Sequence, residues 1–525
     1  MTAIATTLPR AITPRLSRTR EWFRAHWVSL VLLTVLLCIV GAAMAWNLQG
    51  YPGRLNDDEG TYLNQGWWLF TQHQLSTYTY WYDHPPLGWV VIGAYGMLTG
   101  RFEAATSMVQ VGREVMWGAT VISAVLLYML CRRLRFDRFW SAVAVLAFGL
   151  SPLAIYEHRM VFLDNLEVTW ILGAFVFATS RRRSLGAAVG SAICFAGATL
   201  TKETSVIVLP VLLWVLLQHT DKRTRWWNVS VFGALYVLLS GFYFLFAILK
   251  GELFPGKGHV SLLWSLWYQF FAREGSGSLF DPASDTYRLV HVWFGLDPFL
   301  LWGGIGAAAV ALIIRRLRPF AVLMLMLCLV VFKGGYLPSP YVIVVIPFAA
   351  LLAAGVGDSW WGASRISNAR HGERKSSWLR WGMRAPVLIG LALINALVVP
   401  PWVNSLRQQS STHGDAWSRS ATEWVEENTS KNDVVVVDQY LWGDLKRSGF
   451  NPLWYWKVNN DPQVTRDIIP NGYHSIDYVV LPYQPPGTLK TLPTLAKALK
   501  NSTKVVTFGH GQQALTVYKV KKDAS

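Results

Sequence analysis

Three consecutive acids, Asp57, Asp58 and Glu59, stand in the stretch Leu55-Asn56-Asp57-Asp58-Glu59-Gly60-Thr61-Tyr62. Adjacent carboxylates repel one another, which raises a carboxylate's pKa and makes it a stronger base. The same run also suits a solvated loop or, behind Asn56, the capped start of a helix. A second group follows in Tyr82-Asp83-His84-Pro85-Pro86-Leu87. Two prolines fix the backbone and hold Asp83 and His84 at a stiff corner. Helix capping by Asp83, with proline in the first turn, accounts for that corner equally well. Asp83 and His84 are also residue types that hold a divalent metal, although no spacing demands one. The cations Arg113, Arg159, Lys202 and Lys333 stand inside or at the ends of apolar runs. A charge there is expensive and takes a partner. A lipid phosphate is one suitable partner. Asp164, Glu114, Glu203 or a lipid headgroup are others.

What must position these residues is a membrane protein. Of 525 residues, 52% are hydrophobic and 15% charged, against about 25% charged in soluble domains. Mean hydropathy is +0.29. The net charge of +17 would suggest nucleic acid in a soluble protein. Here the positives cluster in short loops between apolar runs, so no nucleic-acid partner is expected. Eleven spans are read near 27–47, 109–131, 140–157, 161–179, 185–200, 203–219, 228–249, 291–314, 319–333, 338–356 and 385–402. The basic N-terminal segment 1–26 is read as cytoplasmic, and the first span as uncleaved. The inner segments then hold 24 Lys and Arg and the outer loops 9, a consistent positive-inside pattern. The apolar stretch 85–100 is short for a crossing and opens on two prolines, so it is read as a helix lying at the outer interface. Residues 48–107 form one large outer loop and 250–290 a second, with an amphipathic stretch near 262–271.

After Trp402 the composition turns soluble, with 14 Lys and Arg and 11 Asp and Glu over 403–525. Strand patterns fall at 434–438, 478–481, 505–508 and 514–520, and helical ones at 418–428 and 492–499. This predicts a small α/β domain, placed outside the cell by the odd span count. Trp442, Asp444, Trp454 and Trp456 there form either a sugar-stacking surface or ordinary core and interface aromatics. The cysteines Cys38, Cys131, Cys194 and Cys328 all lie in or beside apolar runs and read as buried small hydrophobes. The inner run 365–384 reads as topology and anionic-lipid contact. The fold class expected is a polytopic α-helical membrane protein with a C-terminal extracytoplasmic α/β domain, 27–402 being the membrane domain.

These features together resemble the GT-C glycosyltransferases, in particular the protein O-mannosyltransferase and lipid A aminoarabinose transferase group. The matching residues are Asp58-Glu59 with Tyr62 after the first span, and His84-Pro85-Pro86-Leu87 ending the outer loop. Then come Arg113 in the second span, Arg159 followed by Leu163-Asp164 at the head of the fourth, and Thr201-Lys202. Tyr336-Leu337-Pro338 is similar to a Tyr-Leu-x-Pro segment late in that membrane domain. The match covers roughly 27–360, and its order and topological side make it specific. The outer C-terminal domain is similar in arrangement to that of the aminoarabinose transferase. The insertion typical of protein mannosyltransferases has no room here, which argues against a protein acceptor.

The resemblance implies a multi-pass enzyme of the plasma membrane acting on the cell envelope. It would transfer mannose or a related sugar from a polyprenyl-phosphate lipid, with inversion, to a glycan, lipid, small-molecule or protein hydroxyl. Asp58 would be the base, with Glu59 and Asp57 in support; Asp57 leaves that assignment ambiguous by one position. Arg159, Lys202, Arg113, Lys333 and Tyr336 would bind the donor phosphate. Tyr62, Asp83, His84 and Asp164 would shape the acceptor and sugar site. The resemblance commits to no cofactor, a divalent metal being the one candidate, and implies that no sugar nucleotide is needed. The alternatives are a ligase using a diphosphate-linked donor, or a lipid-linked sugar flippase. Transporters concentrate ionisable groups at the bilayer midplane, whereas these sit at outer span ends.

Overall fold

The computed structural model describes residues 13–53, 55–256, 258–370 and 377–522. The basic segment 1–26 and the run 365–384 lie in part outside the described residues, as do Arg54 and Lys257. Apolar runs fold as helices because a helix satisfies its own backbone polar groups where water is absent. From the N-terminus come α1 (Thr13–Ala45), α2 (Asp57–Thr71), α3 (Leu87–Leu98), α4 (Met108–Arg133), α5 (Arg138–Leu150), α6 (Leu163–Ala178) and α7 (Leu185–Thr201). They continue as α8 (Leu209–His219), α9 (Arg225–Lys250), α10 (Leu262–Trp267), α11 (Asp285–Leu296), α12 (Pro298–Ala311), α13 (Arg318–Val330), α14 (Val342–Arg370) and α15 (Ser377–Ser410).

A helix stands at every expected span, but their lengths differ from the expectation. Among the described residues, five stretches, in α1, α4, α9, α14 and α15, are each long and apolar enough to cross a membrane alone. The others are shortened by local chemistry. Helix α5 stops at Ser151, where Pro152 opens the separate turn Pro152–Glu157. The expected single span at 291–314 is two helices, α11 and α12, meeting at 100°. Pro298 cannot continue the preceding helix, and the Asp297 side chain accepts the Leu300 N–H to cap the new one at 3.0 Å. Helix α3 has twelve residues, about 18 Å at 1.5 Å per residue, against a hydrocarbon core of about 30 Å. It packs on α2, where Gly66 and Gly93 meet so closely that a Cβ on Gly66 would lie 2.8 Å from the Gly93 nitrogen.

Helix α15 runs eight residues beyond the expected boundary at 402 before the C-terminal domain begins. That domain comprises α16 (Ala416–Asn428), β1 (Val435–Val437), α17 (Gln439–Arg447), β2 (Leu453–Trp454), β3 (Tyr478–Leu481), α18 (Pro493–Lys500), β4 (Ser502–Phe508) and β5 (Leu515–Val520). The sheet order is β2-β1-β3-β5-β4. Strand β1 pairs in parallel with β2 and β3, and β5 runs antiparallel between β3 and β4. The expected strands and helices are all present; β2 and α17 are additional.

Two large apolar cores result. One fills the interior of the long helices from Leu36 and Val40 to Phe348 and Leu352. The other is shared between the two parts of the chain. It joins Tyr62, Trp67, Trp89 and Met108 of α2, α3 and α4 to Val435, Leu441, Trp442 and Leu515 of the C-terminal domain. Burial of these side chains removes apolar area from water at roughly 25 cal/mol per Å², so the domain is packed onto the α2–α4 layer rather than tethered to it.

Candidate active site

Successive residues on a helix point about 100° apart. Asp57, Asp58 and Glu59 open α2, and this rotation sends them to three different places. Asn56 caps the helix: its side-chain oxygen accepts the Asp58 N–H at 3.0 Å, and Glu59 reaches back to the Asn56 N–H at 3.2 Å. Acids in a first turn also suit the positive end of the helix dipole.

Glu59 turns into the core. It is fully buried, 2.9 Å from Arg113 Nε, and accepts the Val161 N–H. Arg113 also donates to the carbonyls of Leu48 and Gln49. Asp57 turns to the C-terminal domain. Its Oδ1 accepts the Gln439 N–H and the Trp454 indole N–H, each at 3.1 Å. Burial and the facing Asp438 carboxyl hold the Asp57 pKa well above the ordinary carboxylate range. Burial also pushes Asp438 up to about 6. Asp58 turns into a cavity. Burial raises its pKa, opposed by the positive charges of His84 and Lys202. Its carboxylate accepts no hydrogen bond from the described residues.

The cavity measures about 1030 Å³. Its polar wall combines Asp58 and Tyr62 from α2, Asp83 and His84 from the proline corner, and Lys202 and Glu203 after α7. The second outer loop adds Tyr268, Phe270 and Arg273. Lys333 and Tyr336 follow α13, and Trp454 and Trp456 come from the C-terminal domain. His84 Nδ1 lies 3.1 Å from both Glu203 oxygens. Burial alone would lower the His84 pKa, but the Glu203 and Asp83 carboxylates more than reverse this and leave it raised. Lys202 donates to Asp164 at 2.6 Å. Arg273 donates to Tyr336 Oη at 2.8 Å and to Gln269, and its guanidinium stacks 3.6 Å from the Tyr336 ring centroid. The lining also includes apolar side chains, of which Val206, Phe244 and Phe271 are exposed.

Several expected site residues are placed elsewhere. Arg113 and Glu59 neutralise each other in the core. Arg159 is fully buried and caps the C-terminus of α1, donating to the carbonyls of Ala43 and Trp46 at 2.7 Å each. Neither arginine lines the cavity. The physical reason is that a buried guanidinium needs several acceptors, and helix-terminal carbonyls supply them as well as a phosphate does. Asp164 sits behind Lys202 as its counter-ion. Trp442 packs on Trp67 and Trp68, and its N–H donates to the Pro452 carbonyl. Asp444 accepts the Met108 N–H and pairs with Arg447. Both are structural. Asp83 and His84 do reach the cavity wall, but no group of three or more His, Cys, Asp or Glu among the described residues is placed to hold a metal ion.

Sequence reasoning missed Arg273 and Glu203 as members of the site. Arg273 was visible as one of the nine cations in the loops read as outer. Its neighbour Tyr336 is 63 positions away, so only the fold brings the pair together.

The fold is similar to those of several solved membrane proteins. ArnT from Cupriavidus metallidurans, solved bound to undecaprenyl phosphate, matches with a TM-score of 0.59 over 94% of this chain and 98% of that one, at 15% identity. The apo oligosaccharyltransferase of Archaeoglobus fulgidus matches with a TM-score of 0.54 over 94% and 75%, at 14% identity. ArnT in its apo state gives 0.53 over 95% and 98%, at 14% identity. No protein-family model matches this sequence, and no curated protein sequence matches it. At such identities the likeness establishes the fold.

Proposed function

We propose that this protein is an inverting glycosyltransferase that moves a sugar from a polyprenyl-phosphate lipid to an acceptor hydroxyl at the outer face of the membrane. The observation that carries this reading is the unpartnered Asp58 carboxylate, facing a cavity that also holds Lys202, Arg273 and Lys333. A carboxylate able to take a proton stands opposite cations able to hold a departing phosphate.

The acceptor O–H oxygen attacks the anomeric carbon. A new C–O bond forms on one face as the C–O bond to the phosphate breaks on the other. The bonding pair leaves with the polyprenyl phosphate, and the acceptor proton goes to Asp58. Lys202 is already paired with Asp164. Among the described residues Arg273 is held by the uncharged Gln269 and Tyr336, which favours Arg273 and Lys333 as the principal phosphate counter-ions. The exposed apolar side chains of Val206, Phe244 and Phe271 suit a prenyl chain lying in the membrane, and the ArnT neighbour was solved with undecaprenyl phosphate. Asp57 also lines the cavity, but its Oδ1 already accepts from Gln439 and Trp454, which favours Asp58 as the base.

The test is transfer by purified full-length protein from synthetic polyprenyl-phosphate sugars, mannose first, to a panel of hydroxyl acceptors. Transfer with inverted anomeric configuration, abolished in Asp58→Asn, supports the reading. Activity with only a diphosphate-linked donor would make the protein a ligase instead.

A further inference from the structure

The cavity that holds Asp58 is also lined by two aromatic rings and a hydroxyl that the proposed chemistry has not used. Trp454 and Trp456 both line it, with ring centroids 5.3 Å apart and planes at 30°. Tyr78 flanks Trp456 at 5.6 Å. Trp454 is anchored through its N–H to Asp57 at 3.1 Å. The Trp456 indole N–H donates to none of the described residues. Thr79, beside Tyr78, also lines this wall. Its hydroxyl is unpaired although the residue is only 4% exposed. An unpaired buried hydroxyl costs roughly 1–3 kcal/mol, which a ligand hydroxyl would recover.

We propose that Trp454, Trp456 and Thr79 form an acceptor subsite for a carbohydrate ring. The proposal rests on the glycosyltransferase reading and narrows its acceptor to a saccharide. A sugar ring offers an apolar C–H face for the indoles and hydroxyls for Thr79 and the Trp456 N–H. A prenyl chain would leave Thr79 unpaired. An extended peptide would bring backbone amides that need partners of their own, which this wall does not supply. The donor phosphate is drawn to Arg273 and Lys333, which come from other elements. Asp58 lines the same cavity as the two indoles and Thr79, so an acceptor held there shares the cavity with the proposed base.

The experiment combines binding and kinetics on full-length protein in nanodiscs. Trisaccharides of mannose, glucose and galactose and a Ser/Thr-containing peptide serve as probes. Saturation-transfer NMR reads binding, and transfer assays read acceptor and donor KM separately. The expected result is saccharide binding by the wild type. Trp456→Ala should weaken it and raise acceptor KM by about tenfold, with donor KM within about twofold. Trp456→Phe, which keeps a ring, and Thr79→Val, which loses only the hydroxyl, should each raise acceptor KM less, about threefold. An equal rise in donor KM would assign the rings to the donor sugar and overturn the proposal. So would transfer only to the peptide, or unchanged kinetics in all three variants. Failure of the underlying reading looks different: no transfer from any polyprenyl-phosphate sugar, with Trp456-dependent saccharide binding intact.

Discussion

At the scale of single residues, three neighbouring acids meet three different surroundings, and these predict different mutant phenotypes. Asp58→Asn keeps the shape and removes the proposed base. General-base help is worth about 10²–10⁴ in rate, so transfer should fall by about that factor with the thermal midpoint near wild type. The base acts in its charged form, and burial in the cavity wall disfavours that form. The acid limb of the kcat/KM profile should therefore lie above the usual carboxylate value, with rate lost as pH falls through it. A limb at or below pH 4 would remove Asp58 from the role. Glu59 and Arg113 predict the reverse phenotype. Removing one partner of a buried ion pair costs about 3–5 kcal/mol, whereas replacing both by apolar residues is often far milder. Arg113→Met and Glu59→Leu should each lower the melting temperature in detergent more than the double variant does. A rise in donor KM without loss of stability in Arg113→Met would return that arginine to the phosphate site. The identity of the acids was legible in the sequence. Their division of labour was not, because it depends on which face of α2 meets Arg113, the cavity or Gln439.

At the scale of elements, the site depends on how α2 is clamped. Gly60 meets the backbone at the start of α17: a Cβ there would lie 2.2 Å from the Gln439 carbonyl. One turn on, Asn64 donates to that same carbonyl at 2.9 Å. Gly60→Ala leaves no room for the methyl, so α2 or α17 must shift. Overpacking of this kind costs about 1–3 kcal/mol, and the shift would also move Asp58. The expected outcome is a lower thermal midpoint together with reduced kcat. Wild-type values for both would show that the contact is looser than drawn. Apolar runs made the long helices legible. The clamp was hidden because β2 has two residues, too few to show a period, and α17 begins directly after a buried strand and the capping Asp438. The broken span at Asp297-Pro298 was legible in principle, since proline cannot continue a helix. The apolar run across it masked the break.

At the scale of the whole molecule, two arguments bear on how the chain sits in the membrane, and neither alone says which side is outside. Charge counting puts the basic loops inside and, with an odd number of crossings, the C-terminal domain outside. Helix length among the described residues does not fix that number, since only five stretches qualify alone. Packing supplies the second argument: α2, α3 and the C-terminal domain share one apolar core, so they lie on the same side however many crossings there are. The reading therefore stands on the parity between Lys222 and that shared layer. An impermeant maleimide on intact cells tests it. A cysteine introduced at exposed Lys490 of the C-terminal domain should react at once. One at Lys222, in the basic loop between α8 and α9, should react only after the membrane is opened. Of the native cysteines, Cys131 is buried and should stay silent, and the rest lie in apolar helices. Labelling of Lys222→Cys in intact cells, with Lys490→Cys protected, would invert the molecule and put the Asp58 cavity on the cytoplasmic side. The donor lipid would then have to present its sugar from within.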